Sequence, residues 1–363
     1  MRILHIFRAP VGGLFRHVRD LVRGQAALGH DVGMICDSST QDTLSGQLLK
    51  EIETLCSLGV HRVAMSRMPG LGDVKCAASI VTTCKQLRPD IAHGHGSKGG
   101  VYARLAAARL GAKAVYTPHG GVLHYNWASL AGFMFLSAEK ALLARTHGLV
   151  FVCHYERNLF EAKLGLGRAS HTVAHNGLWP EEFVEVPLEP DARDIIFVGE
   201  LRALKGINEL LEALVFLNKS RLVTATITGS GPDEAALKTK AEELGIGDKV
   251  HFTGALPART AFAKGWLMVI PSRAESFPYI VLETVAAAKP LITTNVGGIS
   301  EVLAKDTLAQ PNDPSGLAQL IEAALMDRDG ANATAKSLAI DFSNTISAQQ
   351  MTQKITDFYK TLL

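Results

Sequence analysis

Two glutamates bracket seven residues in Glu275-Ser-Phe-Pro-Tyr-Ile-Val-Leu-Glu283, directly after an apolar run that ends in Pro271-Ser272. Pro278 suits the first turn of a helix. Glu275 then belongs to a strand–helix loop, and Glu283 lies about two turns further on. The free amides and dipole of a helix start attract an anion such as a diphosphate. A carboxylate at each end can accept sugar or ribose hydroxyl hydrogens. Arg202 and Lys205 follow another apolar run, Ile195–Val198; two fixed cations there can neutralise the charge of a phosphate-bearing ligand. His119 closes a strand pattern in Thr-Pro-His-Gly-Gly, where a side chain reaches into the crevice of an open α/β sheet. His93 and His95 stand two apart at a strand end and could suggest a metal, but no third ligand is evident. Each feature also has a plainer reading as surface charge, an ordinary helix or a structural histidine.

Further segments carry weaker signals. Gly12-Gly13 lies between a strand and a helix, where glycine lets backbone approach a ligand. It is not the Gly-x-Gly-x-x-Gly dinucleotide fingerprint, which disfavours a nicotinamide enzyme. Arg16, Arg19 and Arg23 fall at helical spacing; they read as contacts to an anionic membrane or phospholipid-linked acceptor, or as a solvated face. Asp327-Arg-Asp329 reads as exposed charge at a helix end. The apolar stretch Val122–Ala144, with Tyr125, Trp127, Phe133 and Phe135, is a core helix, an interfacial segment or an acceptor flap.

Short apolar runs alternating with helical patterns must position these residues. Strands are expected at Ile3–Phe7, Val32–Cys36, Ile91–His93, Ala114–Thr117 and Leu149–Val152, with helices over 14–28, 44–55, 73–87 and 99–110 between them. After residues 178–194, which hold three prolines and six acidic residues, the alternation restarts. Strands are expected at Asp194–Val198, Val223–Thr228, Val250–Phe252, Leu267–Ile270 and Leu291–Thr293, with helices over 206–217, 233–244 and 279–288. The pattern predicts α/β architecture with two doubly wound, Rossmann-like domains facing across a cleft. Their bounds are 1–178 and 194–342, with a linker over 179–193 and a terminal helix over 343–363.

At 363 residues, the chain exceeds what one core serves well. With 47% hydrophobic and 20% charged residues it is neither disordered nor fibrous. Residues 1–188 hold 20 Lys and Arg against 14 Asp and Glu, while residues 189–363 hold 17 against 21. A basic first half suits an anionic partner such as a membrane surface, phospholipid or nucleotide. Five cysteines without a Cys-x-x-Cys pair read as reduced, buried thiols. Neither a spanning helix nor a signal peptide is evident. The expected location is cytoplasmic, with possible peripheral attachment at the inner membrane face.

In order along the chain, the motifs are Gly12-Gly13, His93-Gly-His95, Tyr116-Thr-Pro-His-Gly120, Asn176-Gly177, Val198-Gly-Glu-Leu-Arg-Ala-Leu-Lys-Gly206, Gly229-Ser-Gly-Pro232, Phe252-Thr-Gly254, the two-glutamate segment and Val296-Gly-Gly-Ile-Ser-Glu301. This ordered set resembles the retaining glycosyltransferases of family 4, of GT-B fold, and most closely those of bacterial exopolysaccharide and lipopolysaccharide synthesis. The resemblance implies a UDP- or GDP-sugar donor bound mostly by the second domain and a glycan or lipid-linked glycan acceptor bound by the first. It implies that His119, Glu275, Lys205 and Arg202 serve the reaction. Gly12, Gly13, Gly229, Gly231, Phe252, Phe277, Tyr279, Ile280 and Glu283 would bind donor, and Arg16, Arg19, Arg23 and His95 would meet acceptor or membrane. Where the family has arginine directly after the glycine, this chain has Glu200, and Arg202 substitutes. The resemblance also implies a terminal helix returning to the first domain. No cofactor, metal or nucleic acid is expected. The alternatives are a sugar-nucleotide epimerase on the same fold and a non-catalytic glycan- or membrane-binding subunit.

Overall fold

The computed structural model describes residues 1–39, 43–68 and 70–363. The chain forms two compact units. Unit 1 comprises Met1–Asn176 with Ala348–Leu363, and unit 2 comprises Gly177–Ser347.

Unit 1 contains β1 (Arg2–Phe7), α1 (Gly12–Ala27), β2 (Asp31–Asp37), α2 (Thr43–Glu53), β3 (Val60–Val63), α3 (Gly72–Leu87), β4 (Ile91–His95), α4 (Gly96–Leu110), β5 (Lys113–Thr117), α5 (Leu130–Leu142), β6 (Gly148–Phe151), α6 (His154–Leu164) and β7 (Ser170–Val173). The strands form one parallel sheet in the order β3-β2-β1-β4-β5-β6-β7. Its central strands are buried on both faces, which is why they read as continuous apolar runs. The sequence pattern did not reveal β3 and β7, whose residues are partly exposed.

Unit 2 contains β8 (Arg193–Val198), α7 (Ile207–Leu217), β9 (Ala225–Thr228), α8 (Glu234–Glu243), β10 (Val250–Gly254), α9 (Ala258–Phe262), β11 (Gly265–Ile270), α10 (Tyr279–Ala286), β12 (Leu291–Thr294), β13 (Leu308–Ala309), α11 (Pro314–Met326) and α12 (Arg328–Thr345). Its parallel sheet has the order β10-β9-β8-β11-β12-β13. Ile195, Phe197, Leu210, Leu214, Ile227, Leu267 and Ile321 form its core. Both sheets reverse direction beside their first strand, at β1/β4 and at β8/β11. Such switch points open a crevice at the carboxyl ends of the strands.

The expected linker belongs to unit 2. Val186 N donates to Ala287 O, Arg259 bonds the carbonyls of Glu182 and Val184, and Lys264 pairs with Glu189 at 2.7 Å. The terminal helix also differs from expectation. α12 stops at Thr345, and α13 (Ala348–Lys360) begins after a break at Ile346-Ser347. α13 returns to unit 1, where Met351, Ile355 and Tyr359 pack with Ile3, Ile91, Val115 and Val150.

Asp327 caps α12 through Gly330 N at 2.9 Å, and Arg328 pairs with Asp194 at 2.6 Å. The Asp-Arg-Asp segment is therefore a helix start. The 122–144 stretch divides into a 3-10 turn (Gly121–His124) and α5, which leaves Leu130, Phe133 and Met134 exposed. All five cysteines are buried and unpaired, and burial pushes the Cys36 thiol up to about 11. Among the described residues, no helix is long and apolar enough to cross a membrane.

Candidate functional site

In unit 2 the loops after β8 and β11 meet at the switch point. Lys205 Nζ lies 2.6 Å from Glu275 Oε1, and Ser272 Oγ donates to the same oxygen at 2.8 Å. The two side chains are only 18% and 12% exposed, so solvent screens this pair less than a surface one. Two glycines allow the approach. A Cβ on Gly206 (φ 68°) would fall 1.8 Å from Pro271 O, and one on Gly297 (φ 62°) 2.2 Å from Glu275 O. Gly298 N then donates to Ser276 O at 2.7 Å, and Arg273 N to Leu204 O at 2.9 Å. The Lys-Gly and Val-Gly-Gly motifs are thus two sides of one clamp on the loop that carries Glu275.

α10 follows immediately, with Pro278 in extended conformation as its N-cap. Phe277 and Tyr279 are buried, and Ile280 is half-buried. Proline has no amide hydrogen, so Pro278 adds no donor at this helix start. Glu283 lines a cavity of about 270 Å³ with Glu182, Pro257, Arg259 and Phe262. The glycine loops after β8, β9 and β10 are laced by Gly229 N to Gly254 O and Leu201 N to Ser230 O, both 2.9 Å. A Cβ on Gly231 would strike Leu201 O.

Two expected residues stand apart from this group. Arg202 pairs with Glu200 at 3.1 Å, and so turns to the residue that occupies the family's arginine position. Phe252 lies inside β10, because that strand runs on to Gly254. Its ring packs against the core with Lys238 Nζ 5.5 Å away.

Unit 1 brings five histidines together at its own switch point. His5 on β1 is the register partner of His93 on β4. His95 lies two residues further on, and alternation puts all three on one face. His5 Nδ1 is 2.9 Å from His95 Nε2, and His95 Nδ1 is 3.2 Å from His119 Nε2. His5 Nε2 bonds Gln25 Oε1 at 2.8 Å, and His17 Nδ1 bonds Asn176 Oδ1 at 2.9 Å. His93 bonds Tyr359 OH through Nδ1 and Thr117 Oγ1 through Nε2.

Burial lowers His5 and His17 to about 4, against opposing bonds from Gln25 and Asn176. Burial first, and neighbouring histidines second, hold His93, His95 and His119 well below the ordinary value. All five are neutral imidazoles at pH 7.

A third ring nitrogen near His93 and His95, not evident in the sequence, is present in the fold. His5-His93-His95 and His17-His95-His119 each gather ring nitrogens within 4.8 Å of one another. The added rings, His5 and His17, come from β1 and α1, distant in sequence. In both groups the closest nitrogens are at hydrogen-bond distance.

His119 sits just past β5 at φ 51°, a region that costs a non-glycine residue of order 1–3 kcal/mol and needs surrounding support. Glu156, fully buried on α6, supplies it. Its carboxylate accepts from Gly120 N at 2.6 Å and Val152 N at 3.1 Å.

Gly12 and Gly13 form the first turn of α1 rather than a preceding loop. Gly12 has φ 65°, and a Cβ there would meet nothing within 4 Å. Along α1, Arg16 pairs with Asp20 at 2.8 Å, Arg19 lies over Phe15, and Arg23 is exposed.

Sequence reasoning passed over His5, His17, Gln25 and Glu156. The strand alternation of His5 with His93 and His95 was the available signal. Nothing in the local sequence marks Glu156.

Comparison with known proteins places both units. Residues 12–177 match the family "Glycosyl transferase 4-like domain", and residues 180–338 match "Glycosyl transferases group 1". The chain is 27% identical over 356 residues to a glycogen synthase of Mycobacterium tuberculosis, covering 90% of this chain and 86% of that one. It is 27% identical over 340 residues to TuaC of Bacillus subtilis, a putative teichuronic acid biosynthesis glycosyltransferase, covering 86% and 84%. Among solved structures, Anabaena HepE in complex with UDP-glucose superposes with a TM-score of 0.82 at 18% identity, over 99% of this chain and 100% of that one. Two Rossmann-like sheets and two family matches together identify the chain as a glycosyltransferase of GT-B fold.

Proposed function

We propose that the chain moves a sugar from a UDP- or GDP-sugar to a hydroxyl of a glycan or lipid-linked glycan, with retention of anomeric configuration, in bacterial cell-surface polysaccharide synthesis. The observation that carries this reading is the Lys205–Glu275 pair at the unit 2 switch point, beside the start of α10. Lys205 and the positive end of the α10 dipole offer positive charge to the donor diphosphate. Glu275, already held by Lys205 and Ser272, accepts hydroxyl hydrogens of the donor sugar, and Glu283 those of the ribose. His119 in unit 1 meets a substrate hydroxyl. The UDP-glucose complex of HepE and the putative part of TuaC in teichuronic acid biosynthesis support the donor and acceptor classes.

In this reading the bond from the anomeric carbon to the phosphate oxygen breaks first. The acceptor oxygen bonds to the same face, and its proton passes to the departing phosphate. Lys205 and the helix dipole stabilise that phosphate, so the reaction needs no metal. Weak attachment to the inner membrane face belongs to the same proposal, supported by exposed Arg23 and the apolar Leu130, Phe133 and Met134.

The test is sugar transfer from a panel of UDP- and GDP-sugars in EDTA. Lys205→Ala and Glu275→Ala should each lower kcat by about 10²-fold or more, the usual effect of losing one charge-stabilising group. Transfer at the wild-type rate by both variants would overturn the assignment.

A further inference from the structure

The imidazole contacts in unit 1 have a direction. Gln25 meets His5 Nε2 through its carbonyl oxygen, which only accepts. Gln25 Nε2 is buried with no hydrogen-bond partner among the described residues, so the 2.8 Å contact of its oxygen with His5 is what orients the amide. With the amide so oriented, His5 carries its proton on Nε2, and its Nδ1 is bare. His95 Nε2, at 2.9 Å, must then hold the proton between the two rings, which leaves His95 Nδ1 bare. His119 Nε2, at 3.2 Å, must in turn donate to His95. A neutral imidazole has one proton, so each assignment fixes the next. His5 and His95 are fully buried and His119 half-buried, and desolvation disfavours the doubly protonated ring in all three.

We infer that Gln25, His5 and His95 form a one-way hydrogen-bond chain that fixes His119 as its Nε2–H tautomer and presents Nδ1 as a bare acceptor for a substrate hydroxyl. Gln25, His5 and His95 are positioning residues; they act through His119. The chain explains why polar rings occupy β1 and β4 positions that apolar residues would otherwise fill. It also restricts chemistry. His119 can accept a hydrogen from a sugar hydroxyl, but it cannot donate one to a phosphate without breaking its bond to His95. That the hydroxyl belongs to a sugar rests on the function proposed above; the tautomer does not. His17 frames the same ring, 4.9 Å from His119 centre to centre. Its Nε2 is buried without a hydrogen-bond partner among the described residues, so a transition metal held by His17, His95 and His119 is the rival arrangement.

The test is long-range proton–nitrogen correlation NMR of the full chain labelled with ¹⁵N-histidine, at pH 7.5 and without substrate. Protonated and bare ring nitrogens resonate in separate regions, and single substitutions at His5, His95 and His119 assign the peaks. The chain predicts Nε2–H and bare Nδ1 for all three rings, unchanged by EDTA. Gln25→Met, which keeps length but loses the acceptor, should give tautomer mixtures at His5 and His119. It should lower kcat by about five- to ten-fold, the worth of one neutral hydrogen bond, with little change in donor KM. Gln25→Glu restores an acceptor and should restore the His119 tautomer. Nδ1–H on His119 of the wild-type protein, or tautomers indifferent to Gln25→Met, would overturn the chain. So would peaks that move on adding EDTA, which would mark the metal arrangement. Intact tautomers in a protein that transfers no sugar would instead count against the proposed function and leave the chain standing.

Discussion

Acidification should destabilise unit 1 selectively, and the size follows from its buried histidines. His5 and His17 gain a proton only near pH 4 in the folded state, and His93, His95 and His119 also resist protonation. In the unfolded chain each titrates near 6.5. The folded state therefore binds fewer protons below that value. Its full stability is present above about pH 6.5 and is lost progressively as pH falls toward 4. Between pH 7 and 5.5 the linkage loss is a little over 1 kcal/mol each for His5 and His17, or roughly 2.5 kcal/mol together, and His93, His95 and His119 add to it in the same direction. That is a large share of the stability of an ordinary domain, about 5–15 kcal/mol.

Unit 2 provides an internal control, because His251 is its only histidine. Trp127 lies in unit 1, and Trp179 and Trp266 lie in unit 2. Urea denaturation followed by fluorescence, in one variant with Trp127 alone and another with Trp266 alone, separates the units. The unit 1 midpoint should fall steeply between pH 7 and 5.5, and the unit 2 midpoint should barely move. His93→Leu should remove about one proton's share of the slope, near 1.4 kcal/mol per pH unit. A unit 1 loss below about 2 kcal/mol over that range would refute the reasoning, since it would mean that most of these rings protonate in place.

Other outcomes follow from the packing. Glu139→Gln should strip the charge partner from fully buried Arg104, which also lies 4.2 Å over the Tyr116 ring. Thermal unfolding should show a loss of about 3–5 kcal/mol, and Arg104→Met in the same chain should recover much of it. Gly206→Ala and Gly297→Ala should each lower Tm and donor affinity together, because the added methyl displaces the Pro271 or Glu275 backbone; Gly12→Ala, which meets nothing, should cost only its φ strain, about 1 kcal/mol. Glu156→Gln should weaken the clamp on Gly120 and lower kcat more than stability, as read by paired kinetics and melting curves.

The two parallel sheets were legible because buried central strands leave continuous apolar runs between helical patterns. The edge strands β3 and β7 escaped because partial exposure gives them mixed composition. Lys205 and Glu275 could each be placed in a loop at a strand end from the sequence. Their 2.6 Å contact could not, since it depends on backbone approach at Gly206 and Gly297 across many residues of sequence. Arg202 was read as a second active cation, but its partner Glu200 lies in the very departure from the family pattern. The histidine cluster was hidden for another reason. His93 and His95 were visible as a pair, but His17 and Gln25 reach them from α1, and Tyr359 from the far end of the chain. Only the fold supplies those separations.

Calorimetric titration with UDP and with GDP, each in EDTA and then with added magnesium, tests the central claim most directly. The account predicts that one nucleotide binds at micromolar strength, about −8 kcal/mol, unaffected by chelator and greatly weakened in Lys205→Ala. Binding of neither nucleotide to folded protein, or binding that requires the metal, would contradict it.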